Sequence, residues 1–207
     1  MTSERDDQLN FIREIEAAIA FGGPAHGTSA TELFDRVAKH VNGLLIDAKE
    51  AFGRRSFGTS VFLAISAMEE TAKAEVLAFR TLKSADGRGQ GRDPMRDHAS
   101  KHRLAVRRTA FMGRLPDLLG AENCARLQRD ANTGQLVRLR ERALYAHIDE
   151  TGVSTPAMAI SESQARELLP LATEVADDVL VGWTNQSYVL GESFERLFSE
   201  LAGHIEP

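Results

Sequence analysis

The sequence predicts an all-α protein, an up-and-down helical bundle with additional helices. Nearly every long segment places its apolar residues three and four positions apart, which is the period of an amphipathic helix. No segment shows a convincing alternation of apolar and polar residues that would indicate a strand. A length of 207 residues fits one domain over 1–207, with an N-terminal helix and linker (1–28), a core (29–190) and a C-terminal helix (191–207).

The first half of the chain contains three predicted helices. Asp7 to Phe21 has a helical apolar stripe, and the glycine-rich segment 22–27 ends it. Ser29 and Glu32 have the spacing of a capping box at the start of the second helix. The third helix, Thr59 to Leu82, combines a broad apolar stripe with many small residues. It is therefore expected to lie at the centre of the bundle, buried on more than one side.

The second half of the chain contains further predicted helices, which follow a glycine-rich loop at 84–94. Ser161 and Gln164 have capping-box spacing, and the helix that they open is expected to run past Trp183 with a kink at Pro170. The predicted order is a basic helix from Met95 to about Arg114, a turn at Leu115, a short helix from Ala121 to Ala131, a break at 132–134, the helix that carries Arg138 to Asp149, a loop at 151–156, the helix from Ser161, and a final short helix after Gly191.

Composition excludes several classes of protein. No apolar run approaches the roughly 20 residues needed to cross a bilayer. The polar and acidic N-terminus is not typical of a secretory or transit signal. The single cysteine, Cys124, cannot form an internal disulfide and fits a reducing compartment. We therefore expect a cytoplasmic protein with no membrane partner.

Charge is unevenly distributed along the chain. The net charge of -5 argues against a general coat for nucleic acid. However, the segment from Arg96 to Arg142 holds 11 basic and 5 acidic residues, whereas the rest of the chain holds 14 and 25. A basic middle in an acidic protein favours one face that binds a polyanion. The alternative is a solvated, arginine-rich helix face.

Charged residues interrupt the apolar run of the central helix. Glu69 and Lys73 are four residues apart, in the order that favours an ion pair on one helix face. One interpretation is that both simply face water. The other is that they lie deep in the bundle, because the surrounding run from Leu63 to Val76 is strongly apolar. A charged pair in that position needs partners.

The basic helix carries two histidines at a spacing that suits a metal. His98 and His102 are four residues apart and share a helix face, and Glu69 or Glu70 could add a third ligand. The pattern is nevertheless weak, because no glutamate follows the first histidine and no cysteine cluster exists. We expect instead a hydrogen-bonded His98, a solvated His102, no metal and no cofactor.

Arg142 and His147 form an Arg-x4-His pattern in an apolar, helix-forming run. On a straight helix they would lie roughly 140° apart, so they converge only if the helix loosens near His147, the arginine stem bends or a second subunit contributes. A histidine can exchange a proton with a ribose hydroxyl, and an arginine can hold a phosphate at two points. This chemistry suffices for RNA cleavage without a metal. The alternative is a solvated arginine and a histidine stabilised by the helix dipole.

Several segments together resemble the AbiV family of abortive-infection proteins, within the HEPN superfamily of α-helical nucleases and nucleotide-binding modules. The similar segments lie within about residues 37–180, and the more specific ones are Glu-Glu-x-x-Lys at 69–73 and His-x-x-Lys at 98–101. The resemblance implies a HEPN-like bundle that forms a homodimer with two Arg-x4-His motifs at a shared cleft. It also implies an antiviral role in bacteria, in which RNA damage or translation arrest halts the infected cell.

The leading hypothesis is a homodimeric, metal-independent RNase toxin of phage defence. Arg142 would bind the scissile phosphate and His147 would act as acid or base. Glu69, or alternatively Glu70, would orient them. Further residues predicted to line the cleft are Lys73, His98, Lys101 and Tyr145.

Two other hypotheses remain open. One is a non-catalytic HEPN-type module that arrests translation by binding a ribosome, RNA or a phage-encoded activator. The other is a helical scaffold whose polar network only fixes helix register. The candidate protein partners are a phage-encoded activator and an antitoxin.

Overall fold

The chain folds into ten helices and one short β-hairpin within the residues that the computed structural model describes, 2–21, 29–82, 91–150 and 152–203. This confirms the all-α prediction. Two 3₁₀ turns, Pro94–Arg96 and Arg108–Phe111, accompany these elements. In chain order the elements are α1 (Thr2–Ile19), α2 (Ala30–Gly53), α3 (Phe57–Leu82), α4 (His98–Ala105), α5 (Leu115–Leu119), α6 (Ala121–Asn132), α7 (Gln135–Leu144), β1 (His147–Asp149), β2 (Gly152–Ser154), α8 (Pro156–Ala159), α9 (Glu162–Leu180) and α10 (Asn185–Gly203).

Helix α3 lies at the centre of the bundle, as its sequence predicts. It packs most extensively against α2 and α9, and it also contacts α1, α4, α7 and α8. Small side chains such as Ala64, Ala67 and Ala74 are fully buried, which lets neighbouring helices approach closely. None of the helices in the described ranges has both the length and the apolar character needed to span a membrane.

Helix α1 begins and ends earlier than the predicted Asp7–Phe21. It is joined to the centre of the bundle by Arg80 of α3, whose Nε donates to the Ala18 carbonyl at 2.8 Å. The predicted break at 22–27 and most of the predicted loop at 84–94 lie outside the described residues.

The two predicted helix caps are present. The Ser29 hydroxyl accepts the Glu32 N–H at 3.1 Å and so caps α2, while the Glu32 carboxylate pairs with Arg36. Ser161 and Gln164 form the complete reciprocal capping box at the start of α9.

The predicted continuous basic helix from Met95 to Arg114 is wrong. The chain forms α4 between the two 3₁₀ turns instead. Asp97 caps α4 by accepting the Ser100 N–H at 2.7 Å, and its extended backbone stops any helix from continuing through it. Leu115, predicted to lie in a turn, begins α5 because Pro116 suits the first turn of a helix.

The stretch Arg138–Asp149 does not stay helical to its end. Helix α7 ends at Leu144 because Tyr145 has an extended backbone. His147 then begins β1, which pairs with β2 in antiparallel register. The expectation that the chain contains no strand is therefore wrong here. Strands of three residues are too short to show alternation, so the sequence does not reveal them.

The two C-terminal helices divide differently from the prediction. Helix α9 continues through Pro170 and ends three residues before Trp183, rather than running past it. Gly182, with φ of 93°, turns the chain towards α10. Gly191 does not separate helices but lies inside α10, where a Cβ would come within 3.2 Å of Val181 Cγ1. Close packing of α10 against Val181 therefore favours glycine at this position.

Candidate functional site

A buried carboxylate on α3 is surrounded by four basic side chains. The side chain of Glu69 is only 4% exposed. From α4, Lys101 Nζ lies 2.7 Å from Oε2, His102 Nε2 lies 3.0 Å from Oε1, and His98 Nδ1 lies 2.8 Å from both oxygens. From α7, Arg140 Nε lies 3.4 Å from Oε1. We refer to these five residues as the Glu69 cluster.

The surroundings of Glu69 keep it ionised. Burial by itself would raise the pKa of Glu69, because the charged carboxylate loses its hydration. Hydrogen bonds from His102 and Lys101, together with the positive charge of these partners, outweigh burial and lower the pKa to about 2. The carboxylate is therefore an anion at neutral pH.

His98 connects the Glu69 cluster to solvent. Its Nδ1 faces both oxygens of the ionised Glu69, so Nδ1 must carry the hydrogen and donate it. Its Nε2 makes no hydrogen bond to any described residue, and the side chain is 42% exposed. The prediction of a hydrogen-bonded His98 is confirmed.

The prediction of a solvated His102 is wrong. The residue is fully buried, and its Nε2 contacts Glu69. Its Nδ1 is buried without a hydrogen-bond partner in the described part of the chain. Burial follows from the position of His102 beside Lys101, Leu104 and Ala105, which together form the inward face of this short helix.

The predicted ion pair between Glu69 and Lys73 does not form. Lys73 instead pairs with Glu70, three residues before it, and both of these side chains are partly exposed. Packing of α4 against α3 supplies Glu69 with other partners, including Lys101, which is nearly as buried as Glu69 itself. Glu70 and Lys73 therefore form a separate ion pair on α3.

Three of the residues considered as metal ligands, Glu69, His98 and His102, lie together beside the Lys101 ammonium. His98 and His102 both contact Glu69. However, the Lys101 ammonium lies 2.7 Å from Glu69 Oε2 and 3.3 Å from His98 Nδ1, where it satisfies the carboxylate. Within the described ranges, no group of three or more His, Cys, Asp or Glu residues is placed to hold a metal ion.

The Arg-x4-His pair lies on the surface of the protein. Arg142 is exposed near the end of α7, His147 is exposed in β1, and Tyr145 is exposed between them. Because α7 ends at Leu144, the angle expected for a continuous helix no longer restricts the two side chains. The helix therefore ends before His147, which is one of the three conditions under which Arg142 and His147 were expected to converge.

Helix α7 directs two arginines to different surroundings. Arg140 and Arg142 are two residues apart, or about 200° around the helix axis. Arg140 contacts Glu69, whereas Arg142 donates to the Ala159 carbonyl of α8 at 2.9 Å. Within one chain, the arginine that contacts Glu69 is therefore Arg140, whereas Arg142 was the one that Glu69 was predicted to orient.

An open groove of about 380 Å³ lies beside Arg142, between α6, α7 and α9. Arg138, one helical turn before Arg142, also lines it. On the other wall, Arg126 pairs with two carboxylates, Asp130 at 3.1 Å and Glu167 at 2.6 Å. Neither Arg138 nor Arg142 pairs with a carboxylate of the described residues, so the three arginines and two carboxylates that line the groove leave it with a net positive charge.

Two members of the Glu69 cluster were not predicted. His102 was expected to be solvated, and Arg140 was not singled out. The sequence does contain a signal for Arg140, because it lies four residues after Leu136 and three before Ala143, both of which are buried. A basic residue at a core-facing helical position indicates an internal anionic partner.

A family model described as AbiV, a HEPN domain family, matches residues 29–177. The chain belongs to the AbiV family. The AbiV match runs from the N-cap of α2 into α9, and it includes the whole Glu69 cluster as well as Arg142 and His147. Membership confirms the resemblance and identifies the protein as an abortive-infection module with a HEPN domain. No curated protein and no solved structure matches the chain.

Proposed function

We propose that this AbiV-family protein is an antiphage toxin that cleaves RNA without a metal ion and so stops translation. The observation that carries the proposal is the uncompensated charge of Arg142 beside an open groove. By contrast, Arg80, Arg107 and Arg114 are each paired with carboxylates. A guanidinium without a carboxylate partner is suited to two-point contact with an RNA phosphate.

His147 is proposed to transfer protons at the same surface. It is exposed in β1, and its ring makes no hydrogen bond to a described residue, which leaves the ring available to substrate. An imidazole ring can accept a proton at one nitrogen and donate one from the other, which suits acid–base catalysis. Arg142 would bind the scissile phosphate and stabilise the charge that develops on it.

A second copy of the chain is proposed to complete this site. Large apolar side chains surround His147 in sequence and are exposed rather than buried, and exposed apolar groups of this kind favour a protein contact. Pairing of two such surfaces would bring two Arg142–His147 pairs to one cleft. The exposed apolar residues of this segment, which we call the hairpin surface, are Leu144, Tyr145, Ile148, Val153 and Met158.

Cleavage of a labelled RNA by the purified protein tests the proposal directly. In EDTA, Arg142→Ala and His147→Ala should each slow cleavage by about 100-fold or more, because each removes a group that acts on the reacting phosphate. Arg129→Ala and His40→Ala are matched controls at exposed positions and should cleave like wild type. Wild-type rates in both test variants, or complete loss of activity in EDTA, would contradict the proposal.

A second candidate is a non-catalytic module that arrests translation by binding a ribosome, RNA or a phage-encoded activator. The observation that favours it is the burial of Lys101 and His102, which suits a network that holds helices rather than substrate. Co-sedimentation of the protein with ribosomes, without cleavage products and without dependence on His147, would support this candidate.

A further inference from the structure

The exposed edge of the Glu69 cluster has the arrangement of a carboxylate–imidazole pair. Glu69 accepts the Nδ1–H of His98 through both oxygens, at 2.8 Å each. The other nitrogen, Nε2, has no hydrogen-bond partner among the described residues and belongs to a half-exposed side chain. A carboxylate that holds one ring nitrogen fixes the tautomer and leaves the second nitrogen as a proton acceptor.

The rest of the cluster keeps this pair rigid. Lys101 Nζ binds Glu69 Oε2 at 2.7 Å, and His102 Nε2 binds Oε1 at 3.0 Å. Both of these partners are buried, so they fix the carboxylate from the interior of the bundle and keep it oriented towards His98. Rigid support of this kind is what an acid–base residue requires.

Comparison of the two histidines separates their roles. Both bind the same carboxylate, but His102 is fully enclosed, whereas His98 is half-exposed. Glu69 already receives buried hydrogen bonds from Lys101 and His102, so it does not need His98 to be satisfied. His98 is therefore the member of the cluster that presents an unoccupied ring nitrogen at the surface.

Arg140 adds a cation beside the same carboxylate. Its Nε lies 3.4 Å from Glu69 Oε1, its guanidinium lies 4.9 Å from the centre of the Phe62 ring, and its side chain is only partly buried. Its buried Nε has no hydrogen-bond partner, and contact with Glu69 leaves the terminal nitrogens of the guanidinium for an anion. A histidine and an arginine thus share one carboxylate.

We propose that His98 is a catalytic acid–base residue for RNA cleavage, with Glu69 as its positioning residue and Arg140 as a phosphate-binding residue. The inference rests on the proposed function for the nature of the substrate. It differs from the proposed function in placing an acid–base centre within one chain, where α3, α4 and α7 meet. At this place α7 directs Arg140 towards Glu69, whereas Arg142 points towards α8.

The proposed step balances without an oxidant or a reductant. His98 Nε2 accepts the proton of a ribose 2′-hydroxyl, and the 2′-oxygen forms a bond to the adjacent phosphorus. The bond from that phosphorus to the 5′-oxygen of the next nucleotide breaks, and its electron pair stays on the 5′-oxygen. Water protonates this oxygen, and the imidazolium returns its proton to solvent. The products end in a 2′,3′-cyclic phosphate and a 5′-hydroxyl.

The test uses the full chain and a fluorophore-labelled, single-stranded oligoribonucleotide of mixed sequence in EDTA. His98→Ala should lower the cleavage rate by about 100-fold or more, and added imidazole should restore part of it, which a purely structural role would not allow. His98→Gln keeps a donor for Glu69 without a titratable ring and should remain folded but inactive. His40→Ala is the matched control, and it should leave the rate unchanged.

Glu69 is tested by its effect on each kinetic constant. At a temperature where circular dichroism shows a folded protein, Glu69→Gln should lower kcat by a larger factor than it raises KM, because Glu69 positions the acid–base residue His98 and also contacts the phosphate-binding residue Arg140. A 2′-O-methyl version of the same oligonucleotide should not be cleaved, since its 2′-oxygen has no proton to give.

The outcomes separate this inference from the proposed function. Cleavage that depends on His98, with recovery in imidazole, supports the inference whether or not His147 is also required. Cleavage that is lost in His147→Ala but survives in folded His98→Ala and His98→Gln overturns the inference alone. The absence of any RNA cleavage by the wild-type protein overturns the proposed function and the inference together.

Discussion

At the level of single residues, Glu69 shows how a charge is tolerated inside a helical bundle. A lone buried carboxylate would be strongly destabilising, yet this one receives hydrogen bonds or ion contacts from four basic side chains. Its low pKa results from the hydrogen bonds and positive charge of two of these side chains, Lys101 and His102, which outweigh the effect of burial. Glu69 therefore stabilises the interior of the bundle through hydrogen bonds and ion contacts as well as through packing.

The first prediction concerns the stability that Glu69 provides. A shift in pKa from 4.5 to about 2 corresponds to about 3 kcal/mol at neutral pH, and Glu69→Gln should lower the free energy of unfolding by roughly that amount. Urea denaturation at pH 7 measures it. Glu192→Gln, at an exposed position of α10, is the matched control and should change little. Equal stability of the two variants would contradict the prediction.

The same carboxylate predicts a dependence of stability on pH. Because the folded-state pKa lies below the ordinary value of 4.5, the folded protein binds fewer protons than the unfolded chain. The contribution of ionised Glu69 to the free energy of unfolding is complete above pH 4.5 and is lost as the pH falls towards 2. The difference in unfolding free energy between wild type and Glu69→Gln should therefore shrink across this range. A constant difference would show that Glu69 does not titrate as proposed.

At the level of elements, close contact between α3 and the end of α7 positions the surface that we propose binds RNA. A Cβ at Gly58, in the first turn of α3, would lie 2.8 Å from Pro156 Cβ and 3.1 Å from the Ala143 carbonyl oxygen. Both neighbours belong to the segments that flank the hairpin, α7 and α8. Glycine at this position allows the helices to meet there.

The second prediction is that Gly58→Ala destabilises the protein. The added methyl must displace Pro156 or the backbone at Ala143, and overpacking of this kind costs about 1–3 kcal/mol. The matched control is Gly43→Ala in α2, where nothing lies within 4 Å of the added Cβ. That control should be stabilised by up to about 1 kcal/mol, because alanine favours helix. Thermal unfolding should show a lower melting temperature for Gly58→Ala and a higher one for Gly43→Ala.

For the whole molecule, we propose that the hairpin surface links assembly to activity. The hairpin places Ile148 and Val153 opposite each other in the register of β1 and β2, and both side chains are exposed. Arg142 and His147 lie in the same part of the chain. Association through this surface would explain why its apolar side chains are not buried within one chain.

The third prediction is that a charge on the hairpin surface prevents association. Ile148→Glu should shift the mass in analytical ultracentrifugation from dimer to monomer and abolish toxicity in bacteria. The melting temperature should hardly change, because Ile148 is 76% exposed in the single chain. Met112→Glu, at a similarly exposed position outside the hairpin surface, is the control and should remain dimeric. A wild-type protein that is monomeric at all concentrations would contradict the prediction.

Much of the fold follows from local signals in the sequence. The central position of α3 follows from its apolar and small residues, and Ser29 and Ser161 cap helices where their spacing predicts. The division of the basic segment into α4 and two 3₁₀ turns was not predicted, because helical period persists in the sequence across the capping residue Asp97.

The sequence by itself determined the all-α class, the AbiV resemblance and the residues Glu69, His98 and Lys101 as candidates for one site. Only the tertiary structure decided which partners Glu69 has. The spacing of four residues favoured Lys73, yet α4 and α7 supply Lys101, His102 and Arg140 from distant parts of the chain. Periodicity assigns each residue to a face of its own helix, whereas contact depends on which faces the packed helices bring together.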